Sequence, residues 1–210
     1  MIHNEARSGK PEPRPPLRRI PPGVTFSNFE YIGEGTHSVV YKVTARKDQK
    51  EYTRCLKIFQ KGWDTPYILE TAAYAYLRTA RVEEFIPKFY GYDLRTPSQW
   101  GLDRIMGEED GEFYGIVVEW IEGGEQLSER NITLELVVNF ICGLIKIHNA
   151  GVFHNDPSEQ NMLVVPSTKR SVWIDFSCAL IGSQRYHQGE MEGVAGFAIG
   201  MVFPVRLDVC

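Results

Sequence analysis

At 210 residues, 43% of them hydrophobic and 24% charged, the chain suits one domain or two small lobes built around a core of ordinary size. A formal charge of −4 with no basic stripe excludes a general binder of nucleic acid or of anionic membrane, because both need a basic surface. The amino terminus MIHNEARSGK is polar, no eighteen-residue apolar run could span a membrane, and Cys55, Cys142, Cys178 and Cys210 are scattered without a CxxC pair, so a cytoplasmic or nuclear protein with reduced, mostly buried thiols is expected.

Residues 1–22 hold six of the twelve prolines and five basic side chains without an apolar period, and are predicted to form a disordered tail. Pro13, Pro16 and Arg18 fit a PxxPxR pattern that an SH3-type aromatic groove could read; the other reading is a solvated tail without a partner. From Ile32 the segment IGEGTHSVVYKV reads as strand, glycine turn and strand. Gly33 and Gly35 would let backbone N–H groups approach phosphate oxygens, or would serve a plain turn. Tyr52–Phe59 is the next predicted strand, with Lys57 among Cys55, Leu56, Ile58 and Phe59. A lysine in such a strand is costly to bury unpaired, so it either faces outward from a sheet edge or meets an anion.

After Asp64, Thr65 and Pro66 read as a helix start, a cap followed by proline at the first helical position, and YILETAAYAYLRTA continues it with apolar positions at Ile68, Leu69, Ala72, Ala73 and Tyr76. Glu70, on the first two turns, is either a solvated acid favoured by the helix dipole or the partner of Lys57. Further strands are predicted at Ile86–Asp93 and Phe113–Ile121, with the acid run Glu108–Glu112 between them as a solvated loop. Thr133 then caps a long helix that is apolar at Leu134, Val137, Val138, Ile141, Leu144 and Ile145 and ends at Gly151. His148 is read as a packing residue.

That helix leads into His154–Asn161, HNDPSEQN. Phosphoryl transfer needs a carboxylate to take or orient a hydroxyl proton and a neutral oxygen donor to hold a metal; Asp156 and Asn161 supply the two. Fourteen residues beyond Asn161, the segment Ser171–Phe176 (SVWIDF) is a short apolar strand that delivers Asp175 as a second metal ligand. Hard oxygen donors of this kind suggest Mg²⁺.

Taken in order, the glycine hairpin, strand lysine, helix glutamate, Val118–Gly124 segment, long helix, HxDxxxxN and IDF resemble the protein-kinase-like superfamily over residues 24 to about 180, most of all the short, divergent kinase-like proteins of filamentous fungi. The resemblance implies an α+β, two-lobed fold. Residues 24–119 would form a five-stranded antiparallel N-lobe with one helix, residues 120–210 a truncated, mostly helical C-lobe, and ATP would lie between them. It also implies that Gly33 and Gly35 cover the phosphates, that Val40 lies under the purine, and that the backbone of Glu119 and Ile121 reads the adenine edge. Lys57 would orient the α and β phosphates, Glu70 would hold Lys57, Asn161 and Asp175 would hold Mg²⁺, and Asp156 would be the base.

Departures from the family pattern bear on activity. Ser38 stands at the third glycine, and Ser158 replaces the lysine two residues after the base, removing a cation from the transferring phosphoryl group. Asn155 replaces the arginine before the base, so control by a phosphorylated activation loop is not expected. Ser177 replaces the glycine of DFG, and no APE follows. The 35 residues after Asp175 are too few for the helices that complete such a C-lobe, and the apolar Val194–Val205 is expected to patch the exposed core. The expected function is an ATP-dependent phosphotransferase that moves the γ-phosphate to a hydroxyl acceptor, protein or small molecule. The alternatives are a nucleotide-binding pseudokinase acting as an interaction module and a small-molecule phosphotransferase of the aminoglycoside and choline type.

Overall fold

Alternation of period two, which sends successive side chains to opposite faces of a strand, runs through most of the amino-terminal half. The computed structural model describes residues 16–106 and 110–182. The half consists of β1 (Thr25–Glu34), β2 (Ser38–Lys47), β3 (Lys50–Phe59), α1 (Asp64–Thr79), β4 (Phe89–Arg95), α2 (Pro97–Trp100), α3 (Asp103–Met106) and β5 (Phe113–Glu119). Its strands make one antiparallel five-stranded sheet in the order β1-β2-β3-β5-β4. The expected five-stranded sheet with a helix after its third strand is therefore present, in an α+β architecture.

One face of the sheet packs Phe59, Phe89, Ile116 and Val118 against Tyr67, Tyr74 and Leu77 of α1. The other face carries Phe26, Tyr41, Val43, Leu56, Ile58 and Val117 and is closed at one end by Trp100 and Leu102. The fully buried Trp100 donates its indole N–H to the Phe113 carbonyl at 3.0 Å. Its ring lies so close to β5 that a Cβ at Gly115 would sit 2.6 Å from it, which requires glycine there. The short helix α2 was not foreseen, although Thr96 and Gln99 form a capping box with Pro97 in the first turn, a recognised start signal.

Residues 120–182 supply β6 (Glu125–Gln126), α4 (Leu134–Asn149), β7 (Val152–Phe153), a 3₁₀ turn (Glu159–Asn161), β8 (Met162–Val165), β9 (Arg170–Trp173) and β10 (Leu180–Ile181). Thr133 caps α4 by accepting from the Leu136 N–H at 3.3 Å, and Gly151, at φ +77°, ends it in the left-handed region. Its inner face, with Leu136, Phe140, Leu144 and Ile147, joins Trp173 and Phe176 in the core that also receives α1. The Trp173 indole N–H donates to the Phe140 carbonyl at 3.1 Å.

Five expectations are corrected. The tail does not extend to residue 22: Ile20 is buried, its N–H donates to the Tyr92 carbonyl at 2.9 Å, and the Tyr92 N–H donates to Arg18 O at 3.0 Å. Arg18–Ile20 thus covers the free edge of β4, where an unpaired row of backbone groups would otherwise lie open. Gly91 permits the approach, because a Cβ there would lie 2.8 Å from Ile20 N. The fourth strand begins at Phe89 instead of Ile86, since the Phe85 and Ile86 carbonyls are taken by the Trp173 N–H and the Arg170 guanidinium.

Helix α1 starts at Asp64 with Trp63 in the capping position and no side-chain cap, so Thr65 does not cap it. Residues 120–182 are also not mostly helical: α4 is their single α-helix among the described residues, because the β-branched runs after Asn161 pair as strands. Cys142 is exposed, and Cys55 and Cys178 are half-buried free thiols. Pro13, Glu108 and Glu109 of the acid run, Val194–Val205 and Cys210 lie outside the described residues. No helix among the described residues is long and apolar enough to cross a membrane.

Candidate active site

Strand β3 turns Cys55, Lys57 and Phe59 toward α1, with Lys57 between Val40 of β2 and Ile116 of β5 in register. It is an interior position, not a sheet edge, and Lys57 is only 6% exposed. Its Nζ donates to Glu70 Oε2 at 2.8 Å and to Asp175 Oδ1 at 2.7 Å. Three residues that sequence separates by up to 118 positions thus share one buried ammonium.

Burial alone would disfavour the Lys57 charge, but attraction to Glu70 and Asp175 outweighs it and raises the pKa above the ordinary lysine value. Asp175 lies lower than usual, at about 2, because Lys57 and the Ser177 N–H outweigh its desolvation. Glu70 goes the other way: completely enclosed, it is pushed up to about 7 by burial, against the pull of Lys57. One cation serves two carboxylates, and the more exposed one holds its charge.

The HNDPSEQN loop is cross-braced to the IDF segment. His154, fully buried, donates its Nε2–H to the Ile174 carbonyl at 2.9 Å, and the Ile174 N–H donates to the Asn161 carbonyl at 2.9 Å. Asn155 donates from Nδ2 to Cys178 O at 3.1 Å. Asn161 Nδ2 donates to both the backbone carbonyl (2.9 Å) and the carboxylate Oδ2 (2.8 Å) of Asp156, fixing the amide so that its oxygen points away from that carboxylate. Asn155 at φ +61° and Asp175 at φ +60° sit in the left-handed region, where non-glycine residues are strained. Asn28, Asp48, Gln49, Arg81 and Lys169 share that region away from the cavity, so the conformation alone does not mark a site.

Between the sheet and the β8–β9 hairpin lies a cavity of about 230 Å³, walled by Val40, Ile116, Val118, Ile121, Leu163 and Ile174, with Lys57, Glu70 and Asp175 also lining it. Glu119 borders it as well, but strand alternation sends its side chain away from the Val118 side. Its N–H is already donated to Lys88 O at 2.8 Å. Gly33 pairs with Val40, one strand from the cavity, while the Gly35 N–H is taken by the Ser38 carbonyl at 2.8 Å. A Cβ at either glycine would meet nothing within 4 Å, so packing inside the protein does not require glycine at either position. Ser38, at the third glycine position, is buried and paired with Phe59. Asp156 and Asn161 do not line the cavity; the Ile174 bonds hold them next to Asp175.

Sequence reading missed Arg170. Its guanidinium spans Glu119 (Nη1–Oε1 2.9 Å, Nη2–Oε2 3.2 Å) and the carbonyls of Glu83, Glu84 and Ile86. Burial pushes the Glu119 carboxyl up, but Arg170 and the Lys88 N–H outweigh it and hold it below the usual range. An arginine next to the apolar Val172–Trp173 pair was the available signal, by the same argument that singled out Lys57. Tyr74 and Cys55 also line the cavity, and burial raises the Cys55 thiol to about 12, leaving it inert.

Among the described residues no group of three or more histidine, cysteine or acidic side chains is arranged to hold a metal. Mg²⁺ that accompanies a phosphate ligand needs fewer protein groups, one or two oxygens, because phosphate and water complete its shell. Asn161 Oδ1 and Asp175 Oδ2 are hard oxygens of that kind. No protein-family model matches the chain. The search of curated proteins gives no match either.

Proposed function

We propose that the chain is an ATP-dependent phosphotransferase with a two-lobed, protein-kinase-like arrangement, in which ATP occupies the cavity and its γ-phosphate passes to a hydroxyl acceptor. The observation that carries this is the convergence of Lys57, Glu70 and Asp175 at an apolar slot, with the Asp156–Asn161 pair braced beside it. A structural ion pair alone would not need an apolar slot beside it, and a plain apolar pocket would not carry three ionisable groups.

In this reading Val40, Val118 and Ile121 enclose the base while Lys57 meets the phosphates from its station on Glu70. Asn161 and Asp175 would hold Mg²⁺, which supplies charge neutralisation on the phosphates when bound. Asp156, exposed and oriented by Asn161, takes or orients the proton of the acceptor hydroxyl. Positioning and charge complementarity provide the rest of the rate. With Ser158 in place of the lysine two residues after the base, the acceptor hydroxyl is that of a protein or of a small molecule.

One observation favours a second reading, a nucleotide-binding module without turnover: Lys57 is bound to the same carboxylate that the metal would need. The test is Mg²⁺-dependent release or transfer of γ-phosphate by wild type, Asp156→Asn and Lys57→Ala at matched purity. A phosphotransferase loses on the order of 10² to 10⁴ in rate with Asp156→Asn at unchanged ATP affinity, and loses both binding and turnover with Lys57→Ala. If wild type and Asp156→Asn share one residual rate, catalysis by this loop is wrong. ATP binding that survives in that case supports the module.

A further inference from the structure

The face of the five-stranded sheet turned away from α1 is only half covered. Trp100 and Leu102 close one end, while the other, flanked by the Arg18–Val24 segment, opens into a pocket of about 170 Å³. Its floor is apolar: Ile20, Phe26, Ala45 and Val117. Its rim carries Arg18, Arg46, Lys47 and Arg54, and no acidic residue lines it. In a chain of net charge −4, four cations around one apolar floor run against the overall balance.

Arg46 is paired with Glu51. Among the described residues no carboxylate lies within ion-pairing distance of Arg18, Lys47 or Arg54. Lys47 also stands directly across the hairpin from Lys50, a like-charge pair that an anion would relieve. Arg54 is flattened against two rings, 3.9 Å from the Tyr90 centroid and 4.8 Å from that of Tyr52, so its fork is held in place before any ligand arrives.

We propose that this pocket docks an acidic peptide segment of a partner protein, with one aromatic or branched aliphatic side chain on the floor and flanking carboxylates on the rim. The volume suits a single ring, since cavities of roughly 150 Å³ accept benzene. Fixed cations around it supply selectivity and attraction at a distance. Arg54 already covers Tyr52 and Tyr90 and the rest of the floor is buried, so bases find no open ring to stack on and a peptide is favoured over an oligonucleotide. This site lies on the opposite face of the sheet from Lys57 and does not depend on the nucleotide reading.

The experiment is fluorescence anisotropy of the full chain with a fluorescein-labelled peptide Asp-Glu-Phe-Asp-Glu. Its controls replace Phe by Ala, or the acids by Asn and Gln, and a labelled ten-residue oligothymidylate is run in parallel. Saturable binding that falls at least about tenfold with Arg54→Glu and with Lys47→Glu, and weakens as salt rises, is the expected result. Lys47 is exposed at the end of a hairpin, so its variant keeps the test valid should Arg54→Glu fail to fold. Absence of saturable binding, equal affinity for either control peptide, indifference to both variants, or tighter binding of the oligonucleotide each overturns the proposal.

Discussion

Replacing Glu70 by Gln removes a charge while keeping the shape, and the expected effect on stability reverses sign from the usual one for breaking a salt bridge. Glu70 lies near 7 instead of its ordinary 4.5 because burial works against its ionised form. That displacement disfavours ionisation in the folded protein by roughly 3 kcal/mol relative to the unfolded chain. A raised folded value means that stability is fully present below about 4.5 and is lost as pH rises through about 7. At pH 5 the carboxyl is protonated and glutamine imitates it, so wild type and Glu70→Gln should denature at nearly the same urea concentration. By pH 8 the wild type should fall below the variant by roughly 2–3 kcal/mol, a midpoint shift of about 1 M urea at an ordinary slope for this size. Wild type standing above the variant at pH 8 would mean that the ionised Glu70–Lys57 pair is net stabilising, and would refute the reasoning.

Burial is the main cause, and Asp175, down at about 2, adds to it by already balancing Lys57 throughout this range, so a second buried charge finds half a partner. Such an arrangement is poor for stability and useful for a site. On the proposed phosphotransferase reading Asp175 would hold Mg²⁺, and Glu70 would then remain as the counter-ion of Lys57. An acid whose ionised form burial disfavours, enclosed at the wall of a cavity, is the kind of group that clusters at sites.

Other expectations are simpler to state. Ile20→Ala should destabilise by about 2–3 kcal/mol, lowering the melting temperature by roughly 5–10 °C in a scanning experiment, because the side chain is buried where its segment covers β4. Gly91→Ala should produce a loss of similar size by pushing that segment off, since its Cβ would meet Ile20 N at 2.8 Å; an unchanged melting temperature in both would show that Arg18–Ile20 adds nothing to the fold. Arg170→Ala should cost about 2–4 kcal/mol by leaving three carbonyls and the Glu119 carboxylate short of donors. Lysine should recover little of it, because one ammonium cannot replace a planar fork. Asp175→Asn should flatten the acid limb of stability, since a depressed carboxyl contributes above about pH 4 and loses that contribution as pH falls toward 2; circular dichroism during acid titration is the check.

The second and third strands and the two long helices were legible because period two and period 3.6 leave marks along an element: β2, β3 and α4 formed close to where the pattern placed them, whereas β1 begins at Thr25, ahead of the Ile32 start that was read. Lys57 was legible for a different reason, as a charge in an apolar strand that has to be answered by an opposite charge somewhere in the fold. Which charge answers it is a long-range fact, and local pattern offered only Glu70. That Asp175 also reaches the same ammonium follows from the bonds tying Ile174 to His154 and Asn161, none of which has a local signature.

The tail was misjudged through composition. Proline density from residue 11 to residue 22 suggested disorder, but three residues within it, Arg18 to Ile20, meet a strand edge whose glycine is nine-tenths buried or more. Only Gly91, 71 positions later, shows that the edge is covered: a glycine with φ +148° inside a strand marks close approach of another backbone. The same kind of argument separates Gly33 and Gly35 from Gly91 and Gly115. The latter two are glycines because the protein fills the space a Cβ would take, whereas at Gly33 and Gly35 that space is open. Glycine that internal packing does not demand, on the strand beside Val40 and at the turn above it, fits the close approach of something from outside the chain.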